Sequence, residues 1–261
     1  MKPILFAAIV AFSAQLAVAQ APTTTLLSPR TTLPISFDHS IDSKHVHVGD
    51  VISAKTTQPV HLSNGQALPA GSRISGHVTA SDAFVFDPTP YAKQRQGVLA
   101  IHFDSIDAQG KSLPLNVYVR ALADPLTAWA ARRPKATDED SLGTVTQIGG
   151  DLVTPSQDGV MSQDGDIVGY QRHGGIYAHL ISASGNSPDS CDASDTEESM
   201  GLFSASACGL YGFADSSLIG TGKSGEHSTL TIASRRRSPK VWAHSTALLE
   251  VLPGATGLVS E

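Results

Sequence analysis

From Leu33 to Val119 the chain is built of short runs in which apolar residues take every second position. Ile74, Gly76, Val78 and Ala80 alternate with Arg73, Ser75, His77 and Thr79. Leu99, Ile101 and Phe103 repeat the device against Ala100, His102 and Asp104, and Leu113, Leu115, Val117 and Val119 do so again. Successive side chains of a strand leave on opposite faces, so this period commits each run to one buried and one wet face. In Lys44–Val48 the same rule puts Val46 and Val48 on one face and His45 and His47 on the other. The runs end where the backbone can reverse: Gly49-Asp50, Asn64-Gly65, Pro69-Ala70-Gly71 and Asp107-Ala108-Gln109-Gly110. Glycine takes the left-handed conformation such reversals need, proline presets φ, and Asn-Gly between apolar runs signals a hairpin. The expectation is a mostly β chain, an antiparallel barrel or sandwich.

The ends and the middle read differently. Residues 1–19, MKPILFAAIVAFSAQLAVA, carry one charge at Lys2, an apolar run and a small-residue ending. This is the form of a secretory signal peptide, and its apolar core is shorter than the ~20 residues of a membrane span. The mature chain is therefore expected to be exported, periplasmic or extracellular, with no membrane span. Residues 20–32 read as a flexible lead-in, 33–252 as a single β-barrel-like domain and 253–261 as a tail. Within it, 33–120 forms a first half and 142–252 a second, which includes a loop at 182–227. Residues 121–141 form a short helical or linker insertion, with Asp124-Pro125 opening a helix and Arg132-Arg133-Pro134 ending it. Strands are expected again at Ile167–Tyr170, Ile176–Ile181, Thr229–Ala233 and Val241–Leu252. In an oxidising compartment the chain's two cysteines, Cys191 and Cys208, are expected to form a disulfide that pins the loop.

Three segments taken in order resemble a known family: Gly49-Asp50, then Leu68-Pro69-Ala70-Gly71-Ser72-Arg73-Ile74-Ser75-Gly76, then Phe103-Asp104-Ser105-Ile106, with Gly110 and Leu113-Pro114-Leu115 following. This order is similar to the β-barrel domain of VirB10/TrbI-type conjugation proteins. The resemblance covers roughly 33–120 and extends toward 165–181 and 228–252. It implies a barrel fold and carries no catalytic residue, because the matching positions are turns and core. That family has an inner-membrane anchor and a proline-rich spacer, whereas this chain has a cleavable signal and a short polar segment. The chain also resembles stand-alone exported proteins that reuse the barrel, with Ala207-Cys208-Gly209-Leu210-Tyr211-Gly212 as an addition.

The motifs of chemistry are sparse. Gly220-Thr221-Gly222-Lys223-Ser224-Gly225 echoes a phosphate-binding loop, but position 217 is Ser217 and a strand follows, so no helix N-terminus meets a phosphate. No cofactor and no nucleotide are expected. At a formal charge of −6 the chain lacks the basic footprint of nucleic-acid binding. It contains no G-x-S-x-G, S-x-x-K or H-E-x-x-H pattern, so no catalytic residue is assigned. Asp189, Asp192, Asp195, Glu197 and Glu198 fit no EF-hand spacing and read as a solvated loop. Arg235-Arg236-Arg237-Ser238-Pro239-Lys240 reads as a basic turn. Among the histidines, His45 and His47 are the metal candidates, two apart on one strand face, with His61 or His77 as a third ligand. His77 and His102 otherwise belong to the solvent phase of their strands. The leading expectation is a non-enzymatic binding or structural module of the cell envelope, its partner an envelope protein or polysaccharide. The other is an envelope hydrolase with its site in loops 81–97 and 182–227.

Overall fold

The computed structural model describes residues 27–253 apart from 109, 136, 138, 140–142, 155–156, 173, 182–195 and 220–227. The first part of the chain forms β1 (Thr32–Phe37), β2 (Ile41–Asp42), β3 (Val51–Thr56), β4 (Val60–His61), β5 (Ala67–Leu68), β6 (Arg73–Asp82), β7 (Gly97–Ala108), β8 (Lys111–Pro114) and β9 (Val117–Ala123). Helix α1 (Pro125–Arg132) follows. Six short strands come next: β10 (Val145–Thr146), β11 (Leu152–Val153), β12 (Gly159–Met161), β13 (Ile167–Arg172), β14 (Gly175–His179) and β15 (Glu197–Ser199). The chain then runs through β16 (Gly209–Tyr211), β17 (Ser217–Ile219), β18 (Thr229–Ser234), β19 (Lys240–Val241) and β20 (Thr246–Val251).

The predicted β class holds, as a nearly closed barrel. Its sheet runs β16-β9-β20-β1-β3-β6-β7-β18-β17, with β8 hairpinned onto β7. The two ends of this sheet approach at Ser228, whose N–H donates to Val117 O at 2.6 Å while its carbonyl accepts from Phe103 N at 2.7 Å. Its hydroxyl accepts from Val117 N and donates to Leu115 O. Ser228 thus joins β7, β9 and the start of β18, and edge groups that would otherwise stay unpaired are satisfied. Inside, Leu33, Ile35, Phe37, Ile74, Val78, Leu99, Ile101, Phe103, Leu230 and Leu249 are fully buried in one continuous cluster. Of these, the alternation read from the sequence chose Ile74, Val78, Leu99, Ile101 and Phe103.

The turns follow the glycines. Gly49 and Gly71 lie at φ +94° and +85°. Gly49 N donates to Val78 O and Val78 N to Asp50 O, which docks this turn on the middle of β6. In the Asn64-Gly65 hairpin between β4 and β5 only Gly65 is left-handed, at φ +78°. Residues 44–48, expected as a strand, form a turn instead. The Asp42 carboxylate accepts from Lys44 N and the Asp50 carboxylate from His47 N, so local acceptors replace a sheet partner. The helix stands as expected: the Asp124 carboxylate accepts from Thr127 N at 2.7 Å, and Pro125 occupies its first turn.

Two larger differences concern the second half. Residues 145–199 do not continue the barrel; β10 to β15 make a separate antiparallel sheet paired in chain order. Part of the expected loop at 182–227 is also strand, since β15 ends this second sheet and β16 and β17 flank the barrel edges. Each of the three has only three residues, too few for a period of two to show. Cys191 lies outside the described residues, as do the signal segment and Gly220–Gly225.

The second sheet packs on the outside of the barrel wall made by β1, β20 and β9. This is why β20 is buried at every position and why Ala121, Ala123 and Leu248 belong to a second core with Ile148, Val160, Met200 and Phe203. The register of β9 against β20 slips between Val119↔Leu249 and Ala121↔Leu248, leaving Arg120 as the extra residue of a β-bulge. The bulge resets the phase, so Arg120 and Ala121 both leave the barrel and enter the junction. Arg120 is fully buried there. Its Nε donates to Ala207 O at 3.1 Å, one terminal nitrogen to Glu250 Oε2 at 3.1 Å, and the other to the carbonyls of Ala205 and Ile181. The Tyr118 hydroxyl donates to the same Glu250 oxygen. One cation therefore ties two segments of the second lobe to a barrel strand.

Replacing Arg120 by Ala should cost about 3–5 kcal/mol, since it leaves the buried Glu250 charge without its counter-ion and removes the guanidinium donors from the Ile181 and Ala207 carbonyls. Urea unfolding followed by tryptophan fluorescence measures this, and a loss below about 1 kcal/mol, the scale of a surface pair, would show that the guanidinium is not the tie described.

Candidate functional site

On the outer wall of the barrel, β6 and β7 pair His77 directly opposite His102. Both occupy the solvent phase of their strands, as the alternation requires. The register then slips again: Gly76 faces Phe103 while Ser75 faces Ser105, so Asp104 is the extra residue of a bulge in β7. A bulge re-aims the side chain it carries. Here it brings the Asp104 carboxylate between the two imidazoles, with Oδ2 3.0 Å from His77 Nδ1 and Oδ1 3.0 Å from His102 Nδ1. The two rings lie 5.4 Å apart at their centroids. Gly76 permits this close pairing, because a Cβ there would sit 2.2 Å from His102 O and 3.0 Å from Ile52 Cδ1.

Among the described residues, His77, His102 and Asp104 form a group of three potential metal-ligating side chains whose donor atoms lie within 4.8 Å of one another. Partial burial pushes the Asp104 carboxyl upward, but the hydrogen bonds to His77 and His102 outweigh it and hold the group below its usual range. Asp104 is therefore an anion at neutral pH, and among the described residues no lysine or arginine forms an ion pair with it. Two imidazoles and one ionised carboxylate can share protons or hold a cation.

The expected histidine pair is placed otherwise. His45 and His47 lie on the turn, highly exposed at 78% and 87%, each near its own aspartate rather than near a common point. Their spacing argument required a strand, and the turn removes it. His61 stacks on the Tyr177 ring at 5.1 Å, at the contact of the β4–β5 hairpin with the second lobe. Of the expected acidic cluster, Glu197 pairs with Arg172 and Glu198 points into the lobe junction, while Asp189, Asp192 and Asp195 lie outside the described residues. The basic turn is partly neutralised, since Arg236 and Arg237 both reach Asp215.

Sequence reasoning gave Asp104 no site role and read Glu198 as part of a solvated loop, whereas Glu198 is largely withdrawn from solvent at the junction. For Asp104 the signal was present: Phe103 and Ile106 are both core residues although three apart, which demands an extra residue between them. For Glu198 there was none. Its carboxylate accepts from Thr196 Oγ1 and Thr32 N beside the junction. Burial, helped by the nearby Glu250 charge and opposed by those hydrogen bonds, raises it from the usual 4.5 to about 7.

Two surface grooves among the described residues do not assemble a catalytic set. One of about 290 Å³ is lined by His39, Ser40, Asp50 and Ser53 among others. Yet Ser53 Oγ donates to Asp38 and Ser40 Oγ accepts from Ala243 N, so neither hydroxyl is hydrogen-bonded to His39 as a base. The other, about 360 Å³, lies between α1 and the second lobe and is lined by Thr127, Ala130, Ala131, Pro134 and Thr146–Ile148, with no ionisable residue. Among the described residues no helix is long and apolar enough to cross a membrane. No family model matches the chain, and no curated protein matches it significantly.

A pH dependence follows from Glu198. Its folded pKa is above the unfolded value, so the native state keeps this proton longer; the stabilisation is complete below 4.5 and is lost as pH rises through about 7. Glu198→Gln, neutral at every pH, should flatten that decline in a series of urea midpoints across this range. A decline of unchanged size in the variant would assign it to other groups.

Proposed function

We propose that this chain is an exported, non-enzymatic β-barrel module that serves the cell envelope by binding a partner, an envelope protein or a polysaccharide. The observation that carries the reading is the filled barrel: its interior is an unbroken apolar core, and the polar chemistry lies on the outer wall and in shallow grooves. A cavity that encloses a substrate beside a nucleophile and its base is the usual mark of a hydrolase, and the grooves described lack that pairing. The signal-like N-terminus supports export, and the order of Gly49-Asp50, Pro69-Ala70-Gly71 and Phe103-Asp104-Ser105-Ile106 supports kinship with the VirB10/TrbI-type barrel.

The pairing of Cys191 with Cys208 belongs to this reading. Cys208 is buried at the foot of β16, and among the described residues there is no free cysteine. A bridge there would restrain the second lobe by about 3 kcal/mol.

Expressed in a Gram-negative host with its own N-terminus, the protein should appear in the periplasmic fraction beginning at Gln20, with an intact mass two hydrogens below the reduced form. Recovery from the cytosol with the N-terminus uncut would count against export, and two free thiols in that material against the bridge.

Photocrosslinking in cells from exposed positions such as Val51 and Trp129 should give a discrete envelope adduct. Turnover of a peptide, ester or glycan substrate by the purified protein would overturn the non-enzymatic reading.

A further inference from the structure

We propose that His77, His102 and Asp104 form a binding site for a divalent transition metal of the zinc class on the outer wall of the barrel. The inference stands on this site alone and does not depend on export or on a partner.

The donor set selects the ion. Two imidazole nitrogens and one carboxylate suit borderline cations such as zinc, whereas calcium and magnesium prefer shells made of oxygen. The geometry is convergent. Asp104 turns one oxygen to each ring, and each ring offers the same atom, Nδ1, at 3.0 Å. Each ring shares a proton with its own oxygen of the Asp104 carboxylate, and an ion that replaced those protons would meet two imidazole nitrogens and a carboxylate at one point. With zinc–nitrogen and zinc–oxygen bonds of about 2.0–2.2 Å, ligand atoms around a tetrahedral ion stand about 3.3 Å apart. Donor atoms already within 4.8 Å of one another reach that spacing by small side-chain rotations.

The support is rigid as well. His77 and His102 are a directly paired cross-strand couple in the two longest strands, and the bulge fixes Asp104 beside them. Sites built on strands hold their ligands more closely than sites on loops. The side chains are 40%, 35% and 44% exposed, so an ion enters freely and water completes its shell. Asp104 supplies a carboxylate with which, among the described residues, no lysine or arginine forms an ion pair.

The test uses the full mature chain, stripped with chelator and titrated with zinc chloride by calorimetry. One equivalent should bind. His77→Ala, His102→Ala and Asp104→Asn should each weaken it about tenfold or more. The double variant His45→Ala/His47→Ala should bind as the parent does. Asp104→Asn keeps the side chain's shape, and its circular dichroism and thermal midpoint should match those of the parent, which separates lost ligation from lost folding. A second readout needs no substitution: cobalt(II) in the parent protein should broaden the amide signals around Gly76–Val78 and Ile101–Ser105. Absence of binding, binding that all three variants retain, or broadening centred elsewhere would overturn the proposal.

Discussion

The guanidinium of Arg120 is the interaction on which the two-lobed shape rests. A buried cation is tolerated only if its charge is balanced and its donors are used. Arg120 meets both conditions across a junction: Glu250 on the adjoining barrel strand balances the charge, and carbonyls of Ile181, Ala205 and Ala207 take the remaining donors. Those carbonyls belong to irregular segments, whose backbone acceptors have no ladder to satisfy them. Removing the second lobe would expose the apolar wall of β1, β9 and β20; removing the arginine would take the guanidinium donors from the Ile181 and Ala207 carbonyls and leave Ala205 O with the Ile181 N–H alone. Tyr118 reinforces the anion, and its own hydroxyl is held protonated by burial and by the Glu250 charge.

The same local device builds the junction and the outer-wall site. In each case one extra residue in a strand resets the alternation, at Arg120 in β9 and at Asp104 in β7. In β9 the reset turns a charged residue and Ala121 toward the second core. In β7 it places a carboxylate between two histidines that a regular ladder had already set opposite each other. A strand without these bulges would keep the barrel and lose both features.

This division bears on function. The barrel interior is committed to packing, so the proposed partner and the proposed ion would both have to meet the protein on its outer surfaces. The wall at β6 and β7 is open, while the wall at β1, β9 and β20 is covered. A rigid scaffold with polar groups fixed on one free wall suits binding better than turnover, which profits from enclosure and exclusion of water.

Much of the barrel was legible in the residues. Ile74, Val78, Leu99, Ile101 and Phe103 announce their inward faces by period alone, and Gly49, Gly65 and Gly71 mark the reversals because few other residues accept their positive φ. The α1 start was legible for the same kind of reason, an aspartate cap followed by proline. The turn at His45 and His47 was misread, because five alternating residues fit a strand until the flanking Asp42 and Asp50 are seen to supply hydrogen bonds of their own. The second lobe was largely hidden, since strands of two or three residues carry too little pattern to separate from loop. The sequence by itself determined which strands face inward and where they reverse, because burial and backbone freedom are local properties of residue type. Only the tertiary structure decided that Arg120 is a buried tie and that His77, His102 and Asp104 meet, because register between strands is set by the packing of the whole sheet.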